Sequence, residues 1–207
     1  MEAASGLRER KKQRTREAIV KAAFGLFAER GFEGTTIAQI AEAAEIAPRT
    51  FFAYFPSKDD VVFHDFEEQY ALVSSWLSER EAGANTFDAL RAGIAESIEE
   101  LGTEGGARLE EKRLRHKLAR ENPSLAAHAE YLRGRFAELV SDSVAEDLGD
   151  APSDLRPRLV AAAMTAAMTV VDDFAEEDAA EHSQETFESL LAFLQGGLAA
   201  LQEQDSP

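Results

Sequence analysis

Apolar residues recur at helical spacing along almost the whole chain, while the period-two alternation of a half-buried strand is missing. Ile19, Ala23, Leu26 and Phe27 fall at i, i+4, i+7 and i+8, the pattern of one buried helix face. No Asn-Gly or Asp-Gly pair offers a hairpin turn. The expected fold class is therefore all-α. The helix ends are marked in the sequence. Gly31 fits a C-terminal cap, with Phe32 as the apolar residue that follows it. Thr36-Ile37-Ala38-Gln39 reads as a capping box, in which hydroxyl and amide side chains satisfy each other's orphan backbone donors. Pro48 suits the first position of a third helix, because its missing amide would be unpaired there anyway. That helix must end near Tyr54, since Pro56 disfavours helical geometry at Phe55. Ser57 to Asp60 opens a fourth helix with Phe66, Tyr70, Val73 and Leu77 on one side.

Longer helices are expected at roughly 86–101, 106–121, 124–148, 154–178 and 185–203. They are broken at Gly83, Gly105-Gly106, Pro123, Gly149 to Pro152 and around His182. The reading is of about nine helices in two domains. Residues 1–57 form an N-terminal arm and a three-helix head; residues 58–207 form a helical bundle. The longest uncharged apolar run, Leu159 to Val171, is shorter than the ~20 residues of a spanning helix. No apolar stretch follows the charged N-terminus, so a cytoplasmic protein with no membrane partner is expected. With no cysteine, a disulfide scaffold, a thiol nucleophile and an iron–sulfur centre are excluded.

Charge is distributed unevenly. The chain carries a formal −17, yet residues 1–60 hold 10 Lys/Arg against 9 Asp/Glu and the remainder 12 against 30. Arg8, Arg10, Lys11, Lys12, Arg14 and Arg16 crowd the start. Any nucleic-acid contact must be confined to this end, with the acidic remainder orienting the molecule by repulsion. The plainer alternative is a solubilising tail on an acidic protein.

Two short helices, about 36–43 and 48–54, are joined by Ala44 to Ala47. A connection of this length is the helix-turn-helix signature, whose second helix enters the major groove. Ile37, Ile40, Ile46 and Phe51 can share a small core with Leu26 and Phe27. Phe51 and Phe55 read as core rather than as base-stacking platforms. Arg49, Thr50, Ala53 and Tyr54 are left to project. A helical hairpin inside any bundle is the competing reading.

The stretch Phe24 to Asp60 closely resembles the N-terminal DNA-binding region of tetracycline-repressor (TetR) family regulators. The diagnostic pieces are LFAERGFEGTT, IAQIAEAAEIA and RTFFAYFPSKDD, in order and without gaps. The resemblance implies an all-α homodimer with this head on each subunit, and a C-terminal bundle holding the dimer and a small-molecule pocket. It implies that Thr36 and Gln39 open the helix lying against the DNA backbone. Pro48, Arg49, Thr50, Phe52, Ala53 and Tyr54 then form the recognition helix, and Lys58 meets a phosphate. Arg49 is the expected base reader, since a guanidinium pairs with the major-groove edge of guanine; a phosphate contact is its rival role. Arg14, with its basic neighbours, would reach the DNA backbone or minor groove from ahead of the first helix. Two departures stand out. Phe52 replaces the family's usual Tyr and cannot make its phosphate bond, which shifts its role toward packing. Ala47 stands where a capping Ser is common.

Residues 106–178 show a weaker similarity to the mycofactocin-regulator branch, some of whose members respond to acyl-CoA thioesters. No ligand is carried over from that similarity; Arg108, Lys112, Arg113, Arg115, Lys117 and Arg120 on the 106–121 helix read either as a site for an anionic effector such as an acyl thioester or as local pairs with Glu104, Glu110, Glu111 and Glu121. Phe66, Tyr70, Phe87, His116, Tyr131, Met164, Met168 and Asp172 are the candidate pocket residues, a packed core being the alternative. The expected dimer surface is Leu159, Ala163, Phe187, Leu190, Leu191, Leu194 and Leu198 on the last two helices. Catalysis finds little support: there is no HExxH, phosphate loop, GxSxG or GxGxxG. No cofactor or metal is expected, and the acidic residues around His182 read as a solvated helix end. The expected function is a ligand-responsive regulator, a repressor released from a palindromic operator by a small molecule. An acidic helical adaptor, or a helical metal-dependent enzyme, is the alternative.

Overall fold

The computed structural model describes the backbone of residues 2–101, 105–174 and 180–203, and most of their side chains. Among the described residues there are ten helices and no strand. They are α1 (Glu2–Arg30), α2 (Ile37–Ala43), α3 (Pro48–Phe51), α4 (Lys58–Val62), α5 (Phe66–Ser78), α6 (Thr86–Leu101), α7 (Gly105–Glu121), α8 (Pro123–Leu148), α9 (Leu155–Phe174) and α10 (Ala180–Glu203). The all-α expectation holds. The helix beyond the one expected arises because the fourth is interrupted at Phe63 to Asp65. The interruption is tertiary in origin. Arg16 of α1 donates to the freed carbonyl of His64. The His64 ring sits 2.7 Å from Glu111 of α7, and Asp65 pairs with Arg115 at 2.9 Å.

The chain divides into two compact units: Met1–Asp65 with Gly106–Ala129, and Phe66–Gly105 with Glu130–Pro207. The first is discontinuous in sequence, whereas the sequence alone suggests a single boundary at 57/58. Its core joins Ile19, Ala23, Phe27, Ile40, Phe51, Val61 and Val62 to Leu118 of α7 and Leu125 of α8. The basic segment is not an arm ahead of the first helix but the opening turns of α1 itself. Its residues are mostly strong helix formers, and local bonds support it: Arg10 donates to the Gly6 carbonyl (3.1 Å) and Glu9 lies 3.9 Å from Lys12.

The second unit is built on Leu77, Phe87, Leu90, Val140, Val144, Ala161, Met164, Leu191, Leu194 and Leu198. Helix α6 lies on α5 at Gly93, where any Cβ would run into the Trp76 indole. The pair Arg91–Glu188 (3.0 Å) and the bond from Gln195 to Asp88 (2.8 Å) tie α6 to α10. No described helix is long and apolar enough to cross a membrane.

Candidate nucleic-acid interface

The first unit is shaped by caps that the sequence carries in plain form. Gly31 has φ 72°, and its amide donates to the Phe27 carbonyl at 2.9 Å, closing α1. The ring of Phe32 then lies 5.4 Å from that of Phe27. Thr36 and Gln39 form the complete capping box. The Gln39 amide donates to Thr36 Oγ1 (3.2 Å), and the Thr36 amide donates to Gln39 Oε1 (2.8 Å). Gln39 keeps its side-chain NH2 as a donor.

The turn between α2 and α3 is a Schellman motif. The Ile46 amide donates to the Ala41 carbonyl at 2.9 Å, and the Glu45 amide donates to Glu42 at 3.1 Å. The left-handed position is held by Glu45, at φ 54°, not by a glycine. An L side chain costs about 1 kcal/mol there. Glu45→Gly is therefore expected to stabilise the protein by about 0.5–1 kcal/mol, read as a raised thermal midpoint. Helix α3 follows with Ala47 at its N-cap, which makes no side-chain cap, and Pro48 in the first turn. The α-helix proper ends at Phe51. Turn bonds from the Ala53 amide to Thr50 (3.1 Å) and from the Tyr54 amide to Phe51 (2.9 Å) carry the segment to Tyr54.

Phe51 and Phe55 are buried, as expected, and anchor α3 from beneath. Arg16 stacks on the Phe55 ring from α1, its guanidinium 5.1 Å from the ring centre. Pro48, Arg49, Phe52 and Ala53 are left exposed, with Thr50 and Tyr54 half-buried. Arg49 and Ala53 lie at i and i+4 with Phe52 between them, so the three share one outward face. Arg14 is exposed on α1, and Thr36 is exposed at the head of α2. Phe52 departs from the packing role suggested for it, because it is 56% exposed. Lys58 also departs from expectation. Its ammonium donates to the carbonyls of Phe32 (2.6 Å) and Thr35 (3.0 Å), and stands 3.9 Å from the Phe32 ring centre. Two of its three donors thus strap α4 to the loop before α2, and a phosphate contact would have to use the third.

The first unit also contains a polar cluster with no forecast from spacing. Glu111 lies 2.7 Å from His64 and 3.2 Å from Arg115. The hydrogen bond with His64, then the charges of His64 and Arg115, hold the Glu111 carboxyl below its usual range against the opposing cost of burial. Arg113 pairs with Glu110 at 2.8 Å. The cations of α7 at 113 and 115 are thus matched by local carboxylates. His116 belongs to this unit too.

The other expected pocket residues fall in the second unit. Phe87 and Met164 are core, and Met168 packs against it. Phe66 and Tyr70 lie 5.8 Å apart beneath the Arg135 guanidinium, which is held by Glu67. Tyr131 is 66% exposed. The side chain of Asp172 lies outside the described residues. An open groove of about 530 Å³ lies instead in the first unit, between Ala18, Ala22 and Gly25 of α1 and the end of α2 at Ala43 and Ala44.

Of the expected dimer residues, Leu159 and Ala163 are exposed, but Leu191, Leu194 and Leu198 are core of their own unit and Leu190 packs against it. The strongest apolar stripe of α10 is consumed by the subunit's own interior. The side chain of Phe187 lies outside the described residues. The apolar faces that remain are Leu155, Leu159, Ala163, Ala166 and Val170 on α9, and Phe193, Gly196, Gly197 and Ala200 on α10. Among the described residues no cluster of His, Asp and Glu is arranged to hold a metal ion. The acidic stretch at 175–179 lies outside them.

Residues 19–64 match the family described as bacterial regulatory proteins, tetR family, and residues 84–199 match the MftR C-terminal domain. The chain is 35% identical over 178 residues to the HTH-type transcriptional regulator TcmR of Streptomyces glaucescens, covering 80% of this chain and 75% of the relative. It is 29% identical over 152 residues to the protein designated mycofactocin biosynthesis transcriptional regulator MftR in Mycobacterium tuberculosis, covering 73% and 75%. Among solved structures, native NalD of Pseudomonas aeruginosa, the secondary repressor of the MexAB-OprM multidrug efflux pump, superposes with a TM-score of 0.63. Its identity is 22%, over 89% of this chain and 97% of that one.

Proposed function

The chain belongs to the TetR family of bacterial transcriptional regulators, and from that premise we propose that it binds a two-fold symmetric DNA operator as a homodimer and is released from it by a small molecule. Its family and curated relatives are regulators, not enzymes. The observation that carries the DNA reading is the outward face of α3. Arg49 is exposed beside Phe52 and Ala53, while Phe51 and Phe55 pin the same segment to the core. A short, braced helix with a free guanidinium can enter a major groove without rearranging its base. Arg49 reads guanine, and Pro48, Thr50, Ala53 and Tyr54 complete the contact surface. Arg14, Thr36 and Gln39 approach phosphates. Lys58 acts chiefly by fixing α4 to the loop ahead of α2.

Dimerisation uses the exposed faces of α9 and α10. An effector held by the second unit acts only through its preference for one spacing of the two heads over another. The effector class kept open by the cations of the 106–121 segment is an anionic one such as an acyl thioester, and the protein works in the cytoplasm as a repressor.

The test is a binding series on operator and scrambled duplexes. Arg49→Ala is expected to lose about 1–3 kcal/mol per half-site on the operator and little on scrambled DNA. Arg14→Ala is expected to weaken both alike and to flatten the salt dependence by about one unit of slope for each phosphate it no longer neutralises. If Arg49→Ala binds operator and scrambled duplex as the parent does, α3 is not the reading element.

A further inference from the structure

Among the described residues of the first unit, one large hydrophobic side chain is exposed, and it is Phe52, on the face that carries Arg49. Its exposure serves no internal packing, because Phe51 and Phe55 already fill the space beneath α3. The ring is nevertheless not loose. It meets Phe51 edge to face, with centroids 5.6 Å apart and planes at 84°. Backbone geometry at Phe52 is helical, φ −68° and ψ −10°, so its direction is set by the helix. An oriented apolar ring, with no hydroxyl to offer a phosphate, stands where DNA is read.

The major groove presents one apolar group, the C5-methyl of thymine. Building on the operator reading above, we infer that Phe52 is a specificity-determining residue that selects a thymine in each half-site by packing its ring on that methyl. The register follows from helix geometry. Arg49 and Phe52 are three residues apart, about 4.5 Å along the axis, against a base step of about 3.4 Å. The thymine therefore lies within one or two base pairs of the guanine read by Arg49, and the two side chains together specify a short G/T element.

The experiment first selects bound sequences from a random duplex library with the full chain. It then replaces each thymine of the selected site, one symmetric pair at a time, by deoxyuridine, which removes the methyl and leaves the hydrogen-bonding edge unchanged. For the wild-type protein, one pair close to the guanine is expected to weaken binding about fourfold per half-site, the worth of one buried methyl-sized group. Phe52→Ala is expected to bind thymine and deoxyuridine duplexes alike while keeping its preference for the guanine. Phe52→Leu is expected to retain part of the methyl preference. Losing the edge-to-face contact with Phe51 should lower the thermal midpoint of Phe52→Ala only modestly, so all three proteins are folded under the binding conditions. The inference is overturned if the wild type is indifferent to every replacement, or if Phe52→Ala keeps the parent's thymine-to-deoxyuridine ratio. A protein that selects no sequence at all contradicts the operator reading instead.

Discussion

The double variant Leu159→Arg/Phe193→Arg is expected to be folded, monomeric and weaker on its operator by two to four orders of magnitude. Leu159 is 58% exposed on α9 and Phe193 is 76% exposed on α10, so neither contributes much to its own subunit's interior. Leu155, 69% exposed, continues the α9 face, while Gly196 and Gly197 of α10 have nothing within reach of an added Cβ. Such a surface, of large apolar groups beside open glycine backbone, fits a second copy of itself across a two-fold axis. Arginine at both positions sets like charges against each other at the axis and leaves them without partners there. The operator effect follows because two linked heads bind at a high effective concentration, whereas separate heads do not. Light scattering gives the mass and titration of a labelled duplex gives the affinity. A variant that stays dimeric would move the interface elsewhere. By contrast, charge at Leu191 or Leu194 should unfold the second unit, because both are core.

The second large effect concerns Asp147. This carboxylate accepts from the Thr86 amide (2.8 Å) and hydroxyl (2.5 Å) and lies 3.4 Å from Arg80, with 6% of its side chain exposed. It stands at the N-terminus of α6, where an anion is favoured by the unpaired amides. The buried Thr86 hydroxyl also meets Ser143 at 2.8 Å, and Arg80 reaches both Ser143 and Glu146. Asp147→Ala would leave the Thr86 amide without its acceptor and take one of two carboxylates from Arg80, while Asn85 still accepts from the Phe87 and Asp88 amides and Glu146 still holds Arg80 at 2.9 Å. The expected loss is about 2–3 kcal/mol, the cost of a buried donor left unpaired. Asp147→Asn retains one acceptor oxygen and should lose less. Urea denaturation followed through Trp76, the chain's single tryptophan, gives the answer directly, because that indole lies against Gly93 of α6. An unchanged midpoint would show the network to be dispensable.

Much of the head is legible from residues alone because its boundaries are set by local chemistry. Gly31, the Thr36–Gln39 box and Pro48 act within four residues of themselves, and each does in the structure what its local chemistry dictates. Features set by distant partners are not legible. The break at Phe63 to Asp65 depends on Arg16, Glu111 and Arg115, which lie some 50 positions away in the chain. The recruitment of α7 and the start of α8 into the first unit depends on Leu118 and Leu125 finding that core. Lys58 reads as a phosphate ligand because sequence shows a cation at a helix start but not the carbonyls above it. On α10 the regular leucine stripe is the stronger apolar signal, and for that reason it goes to the subunit's own interior. The weaker face of Phe193 and two glycines is left exposed. The candidate effector pocket is the least legible of all. The same aromatic and methionine spacing serves a packed core, as Phe87 and Met164 show.

Helix α3, carried twice by a symmetric particle, is the element proposed to read DNA. Selection of duplexes from a random library by the purified full chain at low ionic strength decides this. Enrichment of an inverted repeat is expected, its half-site centres about one helical turn apart, roughly 34–36 Å. Recovery of no enriched sequence, or of a lone half-site bound as well as the repeat, would contradict it.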